Sequence, residues 1–255
     1  MSEALRTAAI LVIGNEILTG RTRDANLPFL AAELNRLGVR VREGRILPDE
    51  IDTIVEALNA CRARYDHVFT TGGIGPTHDD VTAEAVARAF GVRLVRHPEA
   101  ERRLRAWYPP EKINEARLKM ADVPEGAELI DNPVSVAPGF RIGNVFVLAG
   151  IPEVARAMFE TIRPQLEGGP PLLSRTLRVL APEGDVAAPL AEVQARHAEV
   201  EIGSYPFYRF GQVGTHLVVR GRDPARIEAV MRELEEMCRA RGISCERVDG
   251  EGGEA

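Results

Sequence analysis

Acidic side chains follow three short apolar runs of the chain, at the points where those runs end. Glu16 follows the first run, Asp49 follows the second, and Asp79 and Asp80 come shortly after the third. If the runs are parallel strands lying side by side, their carboxyl ends meet at one edge of a sheet and bring these acids together. Carboxylates are hard oxygen ligands of divalent cations, which in turn bridge to substrate phosphates. The pattern therefore indicates a Mg²⁺-type site held by Asp49, Asp80 and either Glu16 or Asp79.

A glycine-rich stretch, Gly72-Gly73-Ile74-Gly75, stands between the third apolar run and a helical pattern. Such a loop can direct consecutive backbone N–H groups at an anion, with a helix N-terminus behind it. It is neither a Walker loop nor a dinucleotide fingerprint, because it lacks Gly-Lys-Ser/Thr and its glycine spacing differs. We expect Thr71, Gly72, Gly73 and Gly75 to contact a phosphate or pyrophosphate. A plain tight turn is the alternative.

The same acids also have an ordinary structural explanation. Asp79 and Asp80 stand at an expected helix start, where acids stabilise the first turn, and Thr77-x-x-Asp80 has the form of a capping box. Asp49 follows Pro48, as acids often do in turns. One such acid alone would be structural, whereas acids at three strand ends beside an anion-binding loop favour a ligand site.

Two further features could contribute to such a site. In the loop that ends at Phe140, Ser135 could donate a hydrogen bond to a ligand oxygen, and Gly139 shapes a turn together with Pro138. A hairpin-like connection is the alternative for this loop. His78 could act as a base or as a phosphate donor, but a loop histidine more often does neither.

The order of apolar runs and helical patterns predicts an α/β fold with a parallel sheet covered on both sides. Strands are expected over residues 8–13, 39–47, 67–71 and 144–149, and helices over 26–38, 51–64, 80–90, 99–107, 112–120 and 152–166. After the linker pattern at 167–171, the order β-α-β-β-α-β predicts a small α+β domain. The expected domains are 1–168 and 172–249, and the tail 250–255 is expected to be disordered.

Composition excludes several classes of protein. The chain has 255 residues, 32 Lys+Arg against 38 Asp+Glu, a net charge of -6 and three dispersed cysteines. A nucleic-acid footprint would be a clustered basic face, and a disulfide framework or zinc knuckle would need another cysteine pattern. The run 8–13 is too short to span a bilayer and lacks the basic lead-in of a secretion signal. We expect a cytoplasmic protein without nucleic-acid or membrane partners.

The motifs around the acids resemble those of the CinA N-terminal domain, which belongs to the MoaB/Mog superfamily of molybdopterin-binding domains. The resemblance covers essentially the whole chain. It is carried by residues 14–20 (GNEILTG), 24–26 (DAN), 48–49 (PD), 70–82 (TTGGIGPTHDDVT), 123–127 (VPEGA), 132–140 (NPVSVAPGF) and 148–152 (LAGIP), and by 202–206 (IGSYP) in the second domain.

The resemblance implies a three-layer domain around a MoaB/Mog-type, mostly parallel sheet, followed by a small α+β domain. For CinA-type members it implies a metal-dependent pyrophosphatase that releases AMP from ADP-ribose or FAD, with Mg²⁺, Mn²⁺ or Co²⁺ as the cofactor. For the Mog branch it implies molybdopterin binding and adenylylation. Asp49 and Asp80 match the two acids that matter in that branch and are the expected catalytic pair. Asp79 matches only the CinA-like side, which favours hydrolysis.

The chain departs from the usual CinA pattern at two loops. Ser135 replaces a glycine, and Ala149 replaces a proline, so the edges of the cleft are expected to differ. The sequence ends where the amidase domain of full-length CinA would begin, so no release of ammonia from nicotinamide mononucleotide is expected. Both branches imply a homo-oligomer. A non-catalytic assembly protein, with the small domain as its docking surface, is the third hypothesis.

Overall fold

The structure is a computed structural model that describes residues 6–209 and 211–248. The chain divides into two compact units, residues 1–169 and residues 170–255. The tail 250–255, for which disorder is expected, lies outside the described residues. Among the helices of the described part, none has the length and apolar character that crossing a bilayer requires.

The first unit alternates strands and helices along the chain. Its strands are β1 (Thr7–Ile13), β2 (Arg40–Leu47), β3 (His67–Thr71), β4 (Leu94–Arg96), β5 (Asp122–Pro124), β6 (Glu128–Ile130), β7 (Gly139–Ile142) and β8 (Val145–Leu148). Its α-helices are α1 (Asn15–Leu18), α2 (Asn26–Arg36), α3 (Ile51–Arg62), α4 (Thr82–Phe90), α5 (Pro98–Trp107), α6 (Glu115–Lys119) and α7 (Pro152–Ile162). Short 3₁₀ turns cover Pro110–Lys112 and Arg163–Gln165.

Six of these strands form one sheet in the order β2-β1-β3-β8-β7-β6. The first four are mutually parallel. At the edge, β7 pairs antiparallel with β8, and β6 pairs antiparallel with β7. The register aligns the strand ends, because Ile13 pairs with Leu47, Val12 with Thr71, and Thr71 with Leu148. The residues that follow these four strands therefore emerge at one edge of the sheet.

The sheet is covered by helices on both faces, as its continuous apolar runs predict. In β1, Leu11 packs in the core formed with α3 and α4, while its neighbour Ile10 packs in the core formed with α2 and α7. Both side chains are fully buried. The alternation of a strand sends successive side chains to opposite faces, so a strand buried on both sides must be apolar throughout. The three-layer α/β fold is confirmed.

Two expected helices need correction. The helix expected from residue 80 begins at Thr82, and the one expected over 112–120 is only α6, with Asn114 as its N-cap. The structure also contains a short antiparallel pair, β4–β5, for which the sequence pattern gives no expectation. The loop between Asn132 and Phe140 joins the antiparallel neighbours β6 and β7, so the hairpin-like alternative describes its topology.

The second unit has the predicted order β-α-β-β-α-β. Its elements are β9 (Leu173–Val179), α8 (Glu183–Arg196), β10 (Glu201–Arg209), β11 (Gln212–Gly221), α9 (Pro224–Ala240) and β12 (Cys245–Val248). The strands form an antiparallel sheet in the order β10-β11-β9-β12. Leu177 and Leu217 pack with residues of α8 and α9 in one core. The small α+β architecture is confirmed.

Candidate functional site

A cavity of about 530 Å³ opens beyond the carboxyl ends of the four parallel strands of the first unit. Ligands of open α/β sheets bind at this edge, where the order of the strands along the chain reverses direction. The cavity is lined by Ile13, Gly14, Glu16, Thr22, Asp49, Gly72, Gly73, Ile74, Gly75, Pro76, Thr77, Asp79, Asp80, Met120, Asn132, Ser135, Ala137, Ala149, Gly150, Ile151, Pro152 and Val154.

The conformation of the loop after β3 requires glycine at two successive positions. Gly72 and Gly73 have φ values of 100° and 68°, in the left-handed region that favours glycine. A Cβ atom on Gly72 would lie 2.1 Å from the carbonyl oxygen of Ile13, and one on Gly73 would lie 2.2 Å from Oγ1 of Thr82. These contacts bring the loop close to the end of β1 and the start of α4.

Three consecutive backbone N–H groups of this loop have no acceptor within the part of the chain that the structure describes. They belong to Gly73, Ile74 and Gly75, whereas the N–H of Gly72 donates to the Leu148 carbonyl at 3.2 Å. Backbone donors in such a turn form an anion-binding concavity. The first N–H of α4, that of Thr82, donates to the Gly73 carbonyl at 3.0 Å and so stabilises the loop itself.

Asp80 is held by the turn that precedes it. The Thr77 N–H donates to Oδ2 of Asp80 at 2.8 Å, and the Thr77 hydroxyl donates to the same oxygen. Thr77 and Asp80, which have the spacing of a capping box, therefore do contact each other. Their hydrogen bonds close a turn that precedes the helix and do not cap the helix itself. The N-cap of α4 is Val81, and no side chain caps it.

Asp49 is held at the end of β2 by the neighbouring strand end. Its Oδ2 accepts a hydrogen bond from the Asn15 N–H at 2.8 Å. Burial raises the pKa of the Asp49 carboxyl, the Asn15 N–H opposes that rise, and the negative charges of Glu16, Asp79 and Asp80 raise the pKa further. Glu16, Asp79 and Asp80 therefore lie near enough to act on the Asp49 carboxyl, and a cation bound beside Asp49 would relieve that repulsion.

The acids do not form a metal site by themselves. Throughout residues 6–209 and 211–248, no three His, Cys, Asp or Glu side chains are grouped so that they could hold a metal ion. Mg²⁺ sites at phosphate substrates use only one or two carboxylates, and the substrate and water supply the other oxygens. Asp49 and Asp80, each with one oxygen fixed by a backbone N–H, fit a site of that kind.

Ser135 is presented to the cavity by Asn132. The Asn132 amide donates to Ser135 Oγ at 2.8 Å and to the Ala137 carbonyl at 2.8 Å, while Asn132 Oδ1 accepts from the N–H groups of Val134 and Ser135. Because Ser135 Oγ accepts from Asn132, its own hydrogen is available to a ligand oxygen. Val136 has a φ of 65°, which strains the backbone of this β-branched residue beside the site.

The structure brings most of the predicted site residues together. Those that line the cavity are Glu16, Asp49, Gly72, Gly73, Gly75, Asp79, Asp80 and Ser135. Three others do not line it. Thr71 is buried, and His78 is exposed on the turn. Gly139 is also buried, and a Cβ atom at this position would collide with the Val147 carbonyl.

Sequence reasoning missed Asn132, Thr77 and Ile151 as contributors to the site. Asn132 and Thr77 had a local signal, since Asn before Pro and a capping-box threonine commonly bond to nearby backbone. Ile151 lines the cavity mouth and is 65% exposed. Its position on the cavity wall depends on how the loop after β8 packs, and the spacing of residues in the sequence does not predict that packing.

The fold and the position of the cavity define a ligand-binding α/β domain of the open-sheet class, followed by a small α+β domain. The family described as "probable molybdopterin binding domain" matches residues 9–168, and the family described as "FAD synthase, middle domain" matches residues 171–246. The first match spans more than half of the chain, and the chain belongs to that family.

Known relatives agree with this membership. A protein of Archaeoglobus fulgidus is 35% identical over 228 residues, which are 89% of this chain and 96% of that protein. A "Probable FAD synthase" of Caenorhabditis briggsae is 33% identical over 258 residues, which cover 91% of this chain but 49% of the relative, so the chain spans about half of its length.

A solved structure also resembles the chain. The crystal structure of the protein CinA from Thermoplasma acidophilum, described as of unknown function, has a TM-score of 0.60 and 34% identity. The match covers 63% of this chain and 97% of the CinA chain. The resemblance to CinA-type proteins that the sequence motifs indicate is thereby confirmed.

Proposed function

We propose that the first unit is a divalent-metal-dependent hydrolase that cleaves the pyrophosphate of a nucleotide such as ADP-ribose or FAD. The observation that carries this proposal is that one cavity is lined by four carboxylates and by three residues whose backbone N–H groups have no acceptor among the described residues. The N–H groups favour an anion, whereas the carboxylates repel one. A phosphate group that binds together with a cation satisfies both sets of groups.

Asp49 and Asp80 are the residues proposed to hold the divalent cation, and substrate phosphate oxygens and water would supply its other ligands, because no third carboxylate of the described residues is grouped with them. When bound, the cation would offset the charge on the pyrophosphate oxygens and polarise the phosphorus that reacts. The Asn15 N–H orients the Asp49 carboxylate, and Thr77 orients that of Asp80. These bonds are made by neighbouring backbone, so both carboxylates are positioned before a ligand arrives.

The donors of the loop after β3 hold the substrate in this scheme. The N–H groups of Gly73, Ile74 and Gly75 and the Ser135 hydroxyl donate to phosphate oxygens, which fixes the pyrophosphate for attack by water. Water forms a bond to one phosphorus and releases a proton to solvent. The bond from that phosphorus to the bridging oxygen breaks, and its electron pair stays on the monophosphate that leaves. The products are AMP and a second monophosphate, which is ribose 5-phosphate from ADP-ribose or FMN from FAD.

The second candidate function is binding or adenylylation of molybdopterin. It is favoured by the family that matches residues 9–168, whose description names molybdopterin. The same cavity would then hold a pterin, and AMP would appear attached to it instead of free in solution. The two functions therefore differ in where the AMP group is found.

A substrate panel tests the proposal. Purified protein is incubated with ADP-ribose, FAD, NAD or ATP, in Mg²⁺, Mn²⁺, Co²⁺ or EDTA, and AMP is measured by chromatography. The proposal predicts AMP from ADP-ribose or FAD with metal and none with EDTA. If no AMP forms under any condition, hydrolysis is excluded for these substrates, and titration with molybdopterin tests the second candidate.

A further inference from the structure

Positive charge is missing from the wall of the main cavity. Among the described residues that line it are four carboxylates and no lysine, arginine or histidine. A smaller cavity of about 40 Å³ lies next to it and shares Gly73, Ile74, Gly75, Asp80 and Met120 with its wall. A water molecule needs about 10–15 Å³ by this measure, so the smaller cavity has room for about three waters.

Lys119, at the end of α6, lines this smaller cavity and is the only basic side chain on either cavity wall within the described residues. Its Nζ donates to the Thr77 carbonyl oxygen at 2.6 Å. The Asp80 N–H donates to the same oxygen at 3.3 Å. The ammonium group therefore adjoins the turn that orients the Asp80 carboxylate.

The Lys119 ammonium has donors to spare. An ammonium carries three N–H donors, and one of them is used by the Thr77 carbonyl. The other two have no acceptor among residues 6–209 and 211–248. Lys119 is half-buried and so loses part of its hydration. The carboxylates of Asp80, Glu84 and Asp122 share the wall of the smaller cavity with it, and none of them accepts a hydrogen bond from Lys119 among the described residues.

The chain uses lysine sparingly. Of its 32 basic Lys+Arg residues, only Lys112 and Lys119 are lysines. An ammonium is a compact charge that donates in several directions, whereas the donors of a guanidinium lie in one plane. An ammonium therefore suits a position where one N–H bonds to a carbonyl and another is directed at an anion in a small cavity.

We propose that Lys119 is a substrate-binding residue, whose ammonium donates to the phosphate seated on the Gly73–Gly75 N–H groups. The ligand class is a pyrophosphate group, and the inference in this respect rests on the proposed function. Lys119 would approach the phosphate from the smaller cavity and neutralise charge on the monophosphate that leaves. The alternative is that Lys119 only ties α6 to the Thr77 turn.

Lysine acetylation of the unmodified protein separates these two roles. The protein is treated with limiting acetylating reagent, with and without inorganic pyrophosphate plus Mg²⁺, and acetylation at each lysine is followed by peptide mass spectrometry. Lys112 serves as the internal control, because its side chain lines neither cavity. Mg²⁺ alone is a second control.

Bound pyrophosphate is expected to protect Lys119 selectively. At a concentration about tenfold above the dissociation constant, the site is about nine-tenths occupied and acetylation of Lys119 slows about tenfold, while that of Lys112 is unchanged. Equal rates of Lys119 acetylation with and without pyrophosphate would overturn the proposal. This holds if calorimetry shows that pyrophosphate binds elsewhere, and it holds if calorimetry shows no binding.

Substitutions provide the kinetic test. Lys119→Met is expected to lower kcat/KM about 10- to 100-fold, because it removes a hydrogen bond from a charged donor, and Lys119→Arg is expected to restore part of it. Lys112→Met is the matched control and keeps the wild-type value. If wild-type protein is active and Lys119→Met equals Lys112→Met, only the Lys119 inference fails. If wild-type protein releases no AMP, the proposed function fails, and the acetylation experiment still decides on Lys119.

Discussion

Thr77 and Asp80 form a closed pair in which one residue supplies two donors to a single carboxylate oxygen. The Thr77 N–H lies 2.8 Å from Oδ2 of Asp80, and the Thr77 hydroxyl donates to that same atom. Both donors come from a turn that precedes α4, so the helix does not depend on the Asp80 carboxylate. The orientation of Asp80 is a property of the loop and can serve a ligand.

Asp80→Asn tests whether this carboxylate acts on a substrate. The amide keeps the shape of the side chain and one acceptor for Thr77 but loses the negative charge, so AMP release is expected to fall below detection. The free energy of unfolding is expected to change by no more than about 1 kcal/mol, as for one weakened hydrogen bond. Chromatographic AMP assays and urea denaturation measure the two effects.

The control for Asp80→Asn is Asp52→Asn. Asp52 pairs with Arg88 at 2.9 Å on the surface and is 87% exposed, so its loss costs about 0–1 kcal/mol and leaves activity intact. If Asp80→Asn stayed active while unfolding far more easily than the control, Asp80 would be a structural residue of the turn.

Gly73→Ala tests the close approach of the loop after β3 to α4. Its Cβ would lie 2.2 Å from Thr82 Oγ1 in addition to adopting a positive φ. Gly91→Ala is the matched control, because Gly91 has a φ of 67° and no atom of the described residues lies within 4 Å of its Cβ position. The control is expected to lose about 1 kcal/mol of stability and keep AMP release, whereas Gly73→Ala loses more stability and its activity. Equal behaviour of the two variants would show that crowding at Gly73 does not shape the site.

Ser135→Ala tests the hydroxyl that Asn132 orients. We expect KM to rise about tenfold with little change in kcat, because a hydrogen bond to a charged phosphate is lost. Stability should hold, since the Asn132 amide still donates to the Ala137 carbonyl. Ser204→Ala, which removes a half-buried serine whose hydroxyl donates to Glu183, is the control. An unchanged KM in Ser135→Ala would remove Ser135 from the binding site.

His67 gives the first unit a predictable response to pH. Burial lowers the pKa of the His67 imidazole from its usual 6.5, although the Glu167 carbonyl opposes this shift. Below pH 6.5 the unfolded chain therefore binds a proton that the folded state does not, and the folded state loses stability as the pH falls. His67→Gln removes this contribution.

The measurement is urea unfolding of wild-type protein and His67→Gln at pH 7.5 and pH 5.5. The loss of stability on acidification is expected to be smaller for the variant. Carboxylates elsewhere contribute equally to both proteins, so the difference between them isolates His67. Parallel losses in the two proteins would contradict the assignment.

Much of the first unit follows from its sequence because the central strands are buried on both faces. The run at β1 is apolar without interruption since Ile10 and Leu11 enter different cores, and this pattern indicates a parallel sheet. Placement of Glu16 and Asp49 at one edge then follows from parallel direction alone. The antiparallel strands β4 to β7 are three or four residues long, too short for a periodic signal.

The start of α4 and the exact wall of the cavity could not be deduced in the same way. Asp80 resembles a helix residue in sequence, but its carboxylate bonds back to Thr77 and the helix begins two residues later. Thr71 lies beside the loop in sequence yet is buried in the sheet, because strand alternation decides its direction. Lys119 of α6 contacts the Thr77 carbonyl, 42 residues away in sequence, and no local sequence pattern predicts a contact of this kind.

The oligomeric state stays a prediction from family resemblance. Light scattering is expected to give the mass of two or more chains of 27.9 kDa each. A mass equal to one chain at working concentrations would contradict a homo-oligomer, and it would leave the proposed chemistry unaffected because the cavity is built from one unit of one chain.

The central claim is hydrolysis of a pyrophosphate, and the most direct test is product analysis in ¹⁸O-labelled water. ADP-ribose and FAD are incubated with the protein and Mg²⁺, Mn²⁺ or Co²⁺, and the products and their ¹⁸O content are determined by mass spectrometry. We predict equal amounts of AMP and the partner monophosphate, with one ¹⁸O atom on one of the two and no product in EDTA. Intact substrates with every metal would contradict hydrolysis of these nucleotides.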